Sequence, residues 1–290
     1  MEQRVLTDGL LHNEDFWRGK DVRRPGFDRS RLPVTSLCFS AGRMAYGHTG
    51  DILQDLLEKD PSTGMMTGVE TFALRYCTEL AVSDYCMTQC IYEQEKGRVT
   101  PKIQGAIKSV IYVDSNTGSM TWRRLMELAE NPRIAFATIN APEGAYGTVM
   151  SGGGEAEPVS DAVKEDLVKG TVTSDVAKWT AFACRRFTAG HPFALVSCTN
   201  FSANGNFTAA SVRMVAREWE KRGFVQKGVV DYLSDPSRFS FPNCMIDRIA
   251  VAPDTRTEEV MESLGIVSNT VVTERTRYWV VEDLFPAGRY

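Results

Sequence analysis

The chain reads as an α/β protein built on a doubly wound, mostly parallel sheet. Three observations predict this class. Short apolar runs alternate with amphipathic helical stretches, the connections between them are brief, and the first strong apolar run ends in small residues that lead into a helix. With 290 residues and 43% hydrophobic content, the chain can bury one large core or two smaller ones.

Residues 1–30 are polar and read as irregular. The first strand is LPVTSLCFS, Leu32 to Ser40, a short apolar run of the kind that is buried on both faces of a parallel sheet. Ala41 and Gly42 make the turn, and HTGDILQDLLEK then sets Ile52, Leu53, Leu56 and Leu57 at helical spacing. Further strands follow at Met65 to Glu70 and, with weaker alternation, at Tyr85 to Glu93. IKSVIYVD from Ile107, MTWRRLMELAEN from Met120 and IAFATI from Ile134 form another strand, helix and strand. Right-handed crossovers put the helices on both faces of such a sheet.

SGGGEAEP, Ser151 to Pro158, is the clearest loop, and it introduces an acidic helix around Asp161 to Val168. Its three glycines lack the Lys and Ser/Thr of a Walker phosphate loop, so it reads as a flexible surface loop. SDVAKWTAFACRRF carries Val176, Trp179, Phe182, Ala183 and Phe187 on one helical stripe, with Gly190 as the stop. PFALVSC, Pro192 to Cys198, is a strand whose C-terminal end delivers SCTN to where open α/β sheets bind ligands. ASVRMVAREWEKRG, Ala210 to Gly223, is an amphipathic helix ending at its glycine.

A formal charge of −4 and a pI near 5.6 provide no basic field for a phosphate backbone, so nucleic acid is not expected as a partner. The first twenty residues lack the apolar centre of a signal peptide. No stretch approaches the roughly 18 apolar residues of a membrane span, and a cytoplasmic protein is expected. Seven scattered cysteines suit reduced, mostly buried thiols. Cys86 and Cys90 share a side of a helix or strand, but the three histidines lie elsewhere in the sequence and no metal site is expected.

Two segments point to chemistry. In FSAGRMAYGH, Ala41, Gly42 and Arg43 stand where a dinucleotide-binding fold lets the backbone approach a pyrophosphate at a helix N-terminus. Glu70, past the second strand, has two readings: an acceptor for the adenosine ribose hydroxyls of NAD that repels the phosphate of NADP, or a solvated loop carboxylate. In SCTNFSANG, the amide of Asn200 at a strand end can donate to a developing alkoxide, while Asn204 and Gly205 suit shaping and capping the next helix. No basic residue adjoins Cys198, and His191 reads as structural.

SCTNFSANG, SFPNCMIDRIAVAP (Ser240 to Pro253) and VVEDLFPAGR (Val280 to Arg289) together resemble the mannitol dehydrogenase family of long-chain polyol and sugar-acid dehydrogenases. Members of that family read SCDNxxxNG, SFPxxMVDRITP and VIEDxFPxGRP. The resemblance implies a Rossmann-like NAD-binding domain over 31–290, after the irregular segment at residues 1–30. It also implies reversible hydride transfer between NAD and a small-molecule polyol or sugar acid. REWEKRGFV and the SFPNCMIDRI region look closest to the D-mannonate and D-fructuronate branch. In the family a mostly helical domain follows and supplies the catalytic lysine, asparagine and histidine; that domain is expected to be missing here.

The family's Gly-rich motif, laid on this chain, puts Ser40 in place of the first glycine, Gly42 on the second, Met44 in place of phenylalanine and His48 on the final histidine. Thr199 replaces the family's aspartate, and TINAPEGAY has Pro142 and no lysine where the family reads TITEKGY. Asp247 matches an aspartate placed near cofactor and substrate; the competing reading is an Asp247–Arg248 ion pair that orders the loop. The alternative function is a non-catalytic NAD-binding module or the product of a truncated gene. A complete short-chain dehydrogenase is set aside because no Tyr-x-x-x-Lys pair on a helix is read.

Overall fold

Three of the apolar runs, Val34–Phe39, Met65–Glu70 and Ile107–Tyr112, become neighbouring parallel strands in a computed structural model that describes residues 3–282. Two compact units emerge, Met1–Tyr112 with Asp247–Tyr278 and Val113–Ile246 with Trp279–Tyr290. The Asp283 to Arg289 part of the VVEDLFPAGR motif lies outside the described residues. The division cuts across the 31–290 segment expected as one domain.

In the first unit the three strands run in register past an irregularity near their N-terminal ends, with Phe39 beside Val69 and Val69 beside Ile111, so their C-terminal ends lie together. Leu37, Cys38, Phe39, Met65, Met66 and Val69 are buried, as a strand covered on both faces requires. A second, mixed sheet orders Ala250–Val251, Thr270–Glu274, Met87–Glu93 and Arg98–Gln104. The run expected at Tyr85 to Glu93 is therefore a strand, but of this second sheet. Asp84 and Tyr85 take positive φ values of 48° and 60° and redirect the chain, and Gly97 at φ 58° closes an antiparallel hairpin.

Residues 3–30 carry more regular structure than their sequence suggested. Arg4–Val5 pairs in parallel with Ile266–Val267, and helices Asp8–Leu11 and Glu14–Trp17 are capped by the side chains of Thr7 and Asn13. Leu6, Leu10, Leu11 and Trp17 pack with Cys86, Ile103, Met261, Leu264 and Ile266 into a core of their own. Four-residue helices are too short to show a period, which is why sequence patterning passes over them. Helices Leu74–Val82 and Thr255–Leu264 were also not anticipated.

The second unit carries three more parallel strands, Phe136–Ile139, Phe193–Ser197 and Phe239–Ser240. The helices Met120–Glu130, Asp161–Lys169 and Asp175–Ala189 begin on the Ser119, Ser160 and Ser174 side chains, and the last two end on left-handed Gly170 and Gly190. The expected stripe is core, with Trp179, Phe182 and Ala183 buried. The glycines of SGGGEAEP form the turn of a hairpin between Thr148–Met150 and Ala156–Pro158, so part of the expected loop is strand. Asn204–Arg222 is a longer helix than the one expected from Ala210. No helix among the described residues is long and apolar enough to cross a membrane, and no group of three or more His, Cys, Asp or Glu there could hold a metal.

Candidate functional site

In the first unit, Ser40–Arg43 follows the C-terminal end of Val34–Phe39, and the Ser40 N–H donates to the Val69 carbonyl at 2.9 Å. This stitch brings the loop beside the strand that ends in Glu70. Ser40 sits at φ 62°, in the left-handed region. That region favours glycine, the residue for which Ser40 stands, so the serine carries backbone strain. Ala41 is buried, and a Cβ at Gly68 would lie 2.5 Å from that of Ala41. A Cβ at Gly42 would meet nothing within 4 Å. The loop is thus packed from below by Ala41 and open at Gly42, and the Arg43 side chain is exposed.

Arg43 begins a helical segment that winds as a π-helix over Ala45–Gly50 before Asp51–Lys59. Such bulges accumulate at functional sites. Gly47 fits because a Cβ there would come within 2.9 Å of Thr273 and 3.1 Å of Ala250. His48 is buried with Nε2 at 3.1 Å from the Tyr278 carbonyl, and burial lowers its pKa.

Glu70 is buried rather than solvated. Its Oε1 accepts from the backbone N–H groups of Thr71 at 3.1 Å and Phe72 at 2.8 Å, which holds the turn after the strand. Phe72 itself is 93% exposed beside that carboxylate.

Asp247 is exposed, and its N–H donates to the Tyr278 carbonyl at 3.1 Å. Arg248 does not pair with it. The guanidinium turns inward, donating to Asp51 Oδ2 at 2.6 Å and to the carbonyls of Gly47 at 2.7 Å, Arg275 at 3.0 Å and Thr276 at 3.2 Å. The ion pair is therefore Arg248–Asp51, which ties the Asp247 loop to the helix following Ser40–Arg43. Buried Lys102 and half-buried Arg277 join Asp51 and the half-buried Asp55 in the same network. Burial alone would raise the pKa of Asp51, but Lys102, Arg277 and Arg248 outweigh it and hold the carboxyl well below its ordinary value.

In the second unit, Asn200 is exposed just past the strand end. Asn204, four residues on, is buried and organises the surrounding backbone. Its Nδ2 donates to the carbonyls of Thr199 at 2.9 Å and Cys244 at 2.8 Å, and its Oδ1 accepts from the Cys244 N–H at 2.9 Å. Thr199, in place of aspartate, donates to the Ala141 carbonyl at 2.8 Å. Gly205 is obligatory for a packing reason: a Cβ there would lie 2.4 Å from the Phe241 carbonyl oxygen. Beneath, Tyr146 is buried with its hydroxyl 2.8 Å from Ser197 Oγ and 3.1 Å from Thr208 Oγ1. Sequence reasoning missed Arg248, Tyr146 and the bridging role of Asn204. Asn204 was legible as structural, but the segment that it bridges to was not.

Tyr92 and Lys96 do have Tyr-x-x-x-Lys spacing, contrary to the expectation that no such pair stands in the chain. They do not share a helix: Tyr92 lies on the strand Met87–Glu93 with its hydroxyl on Asp254 at 2.5 Å, and Lys96 pairs with Glu93 at 2.7 Å in the turn that follows.

No protein-family model matches the chain. It is 28% identical to a D-mannonate oxidoreductase of Thermotoga maritima over 98% of this chain and 55% of that protein. Against a mannitol 2-dehydrogenase of Cereibacter sphaeroides it is 27% identical over 93% of this chain and 54% of the relative. Among solved structures, the Pseudomonas fluorescens mannitol 2-dehydrogenase in a ternary complex with NAD and D-mannitol superposes with a TM-score of 0.81 at 21% identity. That match covers 98% of this chain and 56% of the other. The chain thus spans about half the length of the curated relatives it matches.

Proposed function

Since the chain belongs to the mannitol dehydrogenase family over the part of its relatives that it spans, we propose that it is the nucleotide-binding half of a cytoplasmic oxidoreductase. This enzyme uses NAD and a polyol or sugar acid, with D-mannonate and D-fructuronate favoured. These 290 residues by themselves bind NADH and do not turn over, because the family resemblance assigns the catalytic lysine, asparagine and histidine to a helical domain in the part of the relatives that they do not span. The observation that carries the reading is the juxtaposition of the open Ser40–Arg43 loop with Glu70 at the ends of two hydrogen-bonded parallel strands.

The residues present fit a dinucleotide. Gly42 is open on its Cβ side, Ala41 fills the space under the loop, and the backbone N–H groups that open the helix from Arg43 suit a pyrophosphate. Glu70, fixed at its strand end by the turn it caps, would accept from ribose hydroxyls of a bound dinucleotide and disfavour a 2′-phosphate. Asp247 is carried on a loop latched by Arg248, which suits a contact to cofactor or substrate. NAD, when bound, supplies a two-electron hydride acceptor. The contribution of Asn200 is an amide donor to the alkoxide that develops at the reacting carbon. Its backbone is held from Thr199 by Asn204 and Ala141.

The test is titration of the purified chain with NADH and NADPH by fluorescence, for the wild type and Glu70→Gln. A glutamine at that position can still accept from the Thr71 and Phe72 N–H groups. NADH binding to the wild type, weakened about tenfold and no longer selective against NADPH in the variant, is expected. Absence of NADH binding would refute the cofactor reading. Oxidation of D-mannonate or mannitol by the chain alone would refute its dependence on the helical domain.

A further inference from the structure

Two thiols from separate motifs meet in the second unit. Cys198 follows the strand Phe193–Ser197, and Cys244 opens the short strand Cys244–Ile246. The Cys244 Sγ lies 2.7 Å from the carbonyl oxygen of Ser197, the residue bonded to Cys198, which sets the Cys244 sulfur beside the backbone that carries the Cys198 thiol. Asn204 clamps both segments, bonding the carbonyls of Thr199 and Cys244 and the Cys244 N–H. The two chain segments that carry the thiols are thus tied together through their backbones. Cys198 is buried, while Cys244 is partly exposed.

We infer that Cys198 and Cys244 form an oxidative modification site, converted by a hydroperoxide into an intramolecular disulfide. The contrast with the remaining thiols supports it. Burial pushes Cys86, Cys90 and Cys184 up to about 12 and Cys77 up to about 11, which leaves them thiols. Cys244 moves the other way: the hydrogen bond from Cys198 stabilises its thiolate against burial, helped by Trp279 and Asn204. Of the two thiols it is the more exposed, and so the candidate to attack first.

The chemistry closes without any other reagent. The Cys244 thiolate attacks one oxygen of the hydroperoxide and breaks the O–O bond. The departing alkoxide or hydroxide takes up a proton, and Cys244 becomes a sulfenic acid, its two electrons having passed to the peroxide. The Cys198 sulfur then attacks the sulfenic sulfur. The S–S bond forms, the S–O bond breaks, and the Cys198 proton leaves with the hydroxide as water. The net change is two thiols and one hydroperoxide to one disulfide, one alcohol or water, and one further water. The bond ties the SCTN turn that carries Asn200 to the SFPNC segment, independently of whether the chain binds NAD.

Trypsin separates the two cysteines, leaving Cys198 on the peptide Phe187 to Arg213 and Cys244 on Phe239 to Arg248, with no other cysteine on either. The folded chain is exposed to hydrogen peroxide, alkylated under denaturing conditions and analysed by mass spectrometry. The expected result is a cross-link between these two peptides that dithiothreitol dissolves, formed before the other thiols lose alkylation. In Cys198→Ser, Cys244 is expected to accumulate as a dimedone-trapped sulfenic acid; in Cys244→Ser, Cys198 is expected to stay alkylatable. Circular dichroism confirms that each variant is folded. Cys244 ending as a sulfinic acid with Cys198 still free, or oxidation of Cys198 at an unchanged rate in Cys244→Ser, would overturn the proposal.

Discussion

Replacing Arg248 by methionine is the most informative test of how the first unit holds its candidate site. The guanidinium is buried and touches four acceptors, Asp51 and the carbonyls of Gly47, Arg275 and Thr276. Removing one partner of a buried ion pair costs about 3–5 kcal/mol when a charge is left uncompensated. Asp51 keeps Lys102 and Arg277, so the lower figure applies, about 3 kcal/mol. For a unit of this size each kcal/mol moves the midpoint of thermal unfolding by roughly 2–4 °C, so Arg248→Met is expected to melt about 6–12 °C below the wild type. Arg248→Lys retains the charge but not the fork, and is expected to fall between the two. Asp247→Ala removes an exposed side chain and is expected to stay within about 0.5 kcal/mol of the wild type. Melting followed by circular dichroism decides the matter. If Arg248→Met melts within about 2 °C of the wild type, or Asp247→Ala loses as much, the inward latch is wrong and the Asp247–Arg248 loop pair returns.

Ser40→Gly is expected to stabilise the chain by about 0.5–1 kcal/mol in urea unfolding, since relief of a left-handed residue exceeds the added entropy of glycine in the unfolded chain, and it is expected to leave NADH binding intact. Gly205→Ala is expected to cost about 1–3 kcal/mol by the same measurement, because the new methyl group meets the Phe241–Pro242 backbone. Stability is expected to fall on acidification in two stages. His48 is held below its ordinary 6.5 by burial, so the unfolded chain binds a proton there that the folded chain resists, and stability drops as pH falls below that value. Asp51 and Asp55 are held below their ordinary 3.8, so the stability they contribute is present above that value and lost as pH falls through it. Urea midpoints measured from about pH 7.5 to about pH 5 should decline in the wild type and flatten in His48→Gln.

The sequence shows clearly those parts of the fold whose patterns are long or whose ends are marked. Met65–Glu70 and Met120–Glu130 are bounded almost as expected, because an apolar run and a serine cap mark them. What it hides depends on distant partners. Met87–Glu93 looks like another core strand, and only its pairing with Arg98–Gln104 and Thr270–Glu274 assigns it to a second sheet. Arg248 illustrates the same limit at the site. Its neighbour Asp247 is the obvious ion-pair partner in sequence, yet the acceptor that wins is Asp51, 197 residues away.

A comparable division of labour organises SCTNFSANG. Asn200 and Asn204 have the same chemistry and stand four residues apart, but burial separates their roles. A buried amide must satisfy its polar atoms, and Asn204 does so on Thr199 and Cys244, which makes it the clamp between two chain segments. An exposed amide keeps its hydrogen-bonding capacity for something that arrives, and Asn200 is exposed. Loss of the first would deform the strand end; loss of the second would leave the fold in place and remove a donor. The residue suited to act on a substrate is therefore the one the fold does not need, held in place by the one it does.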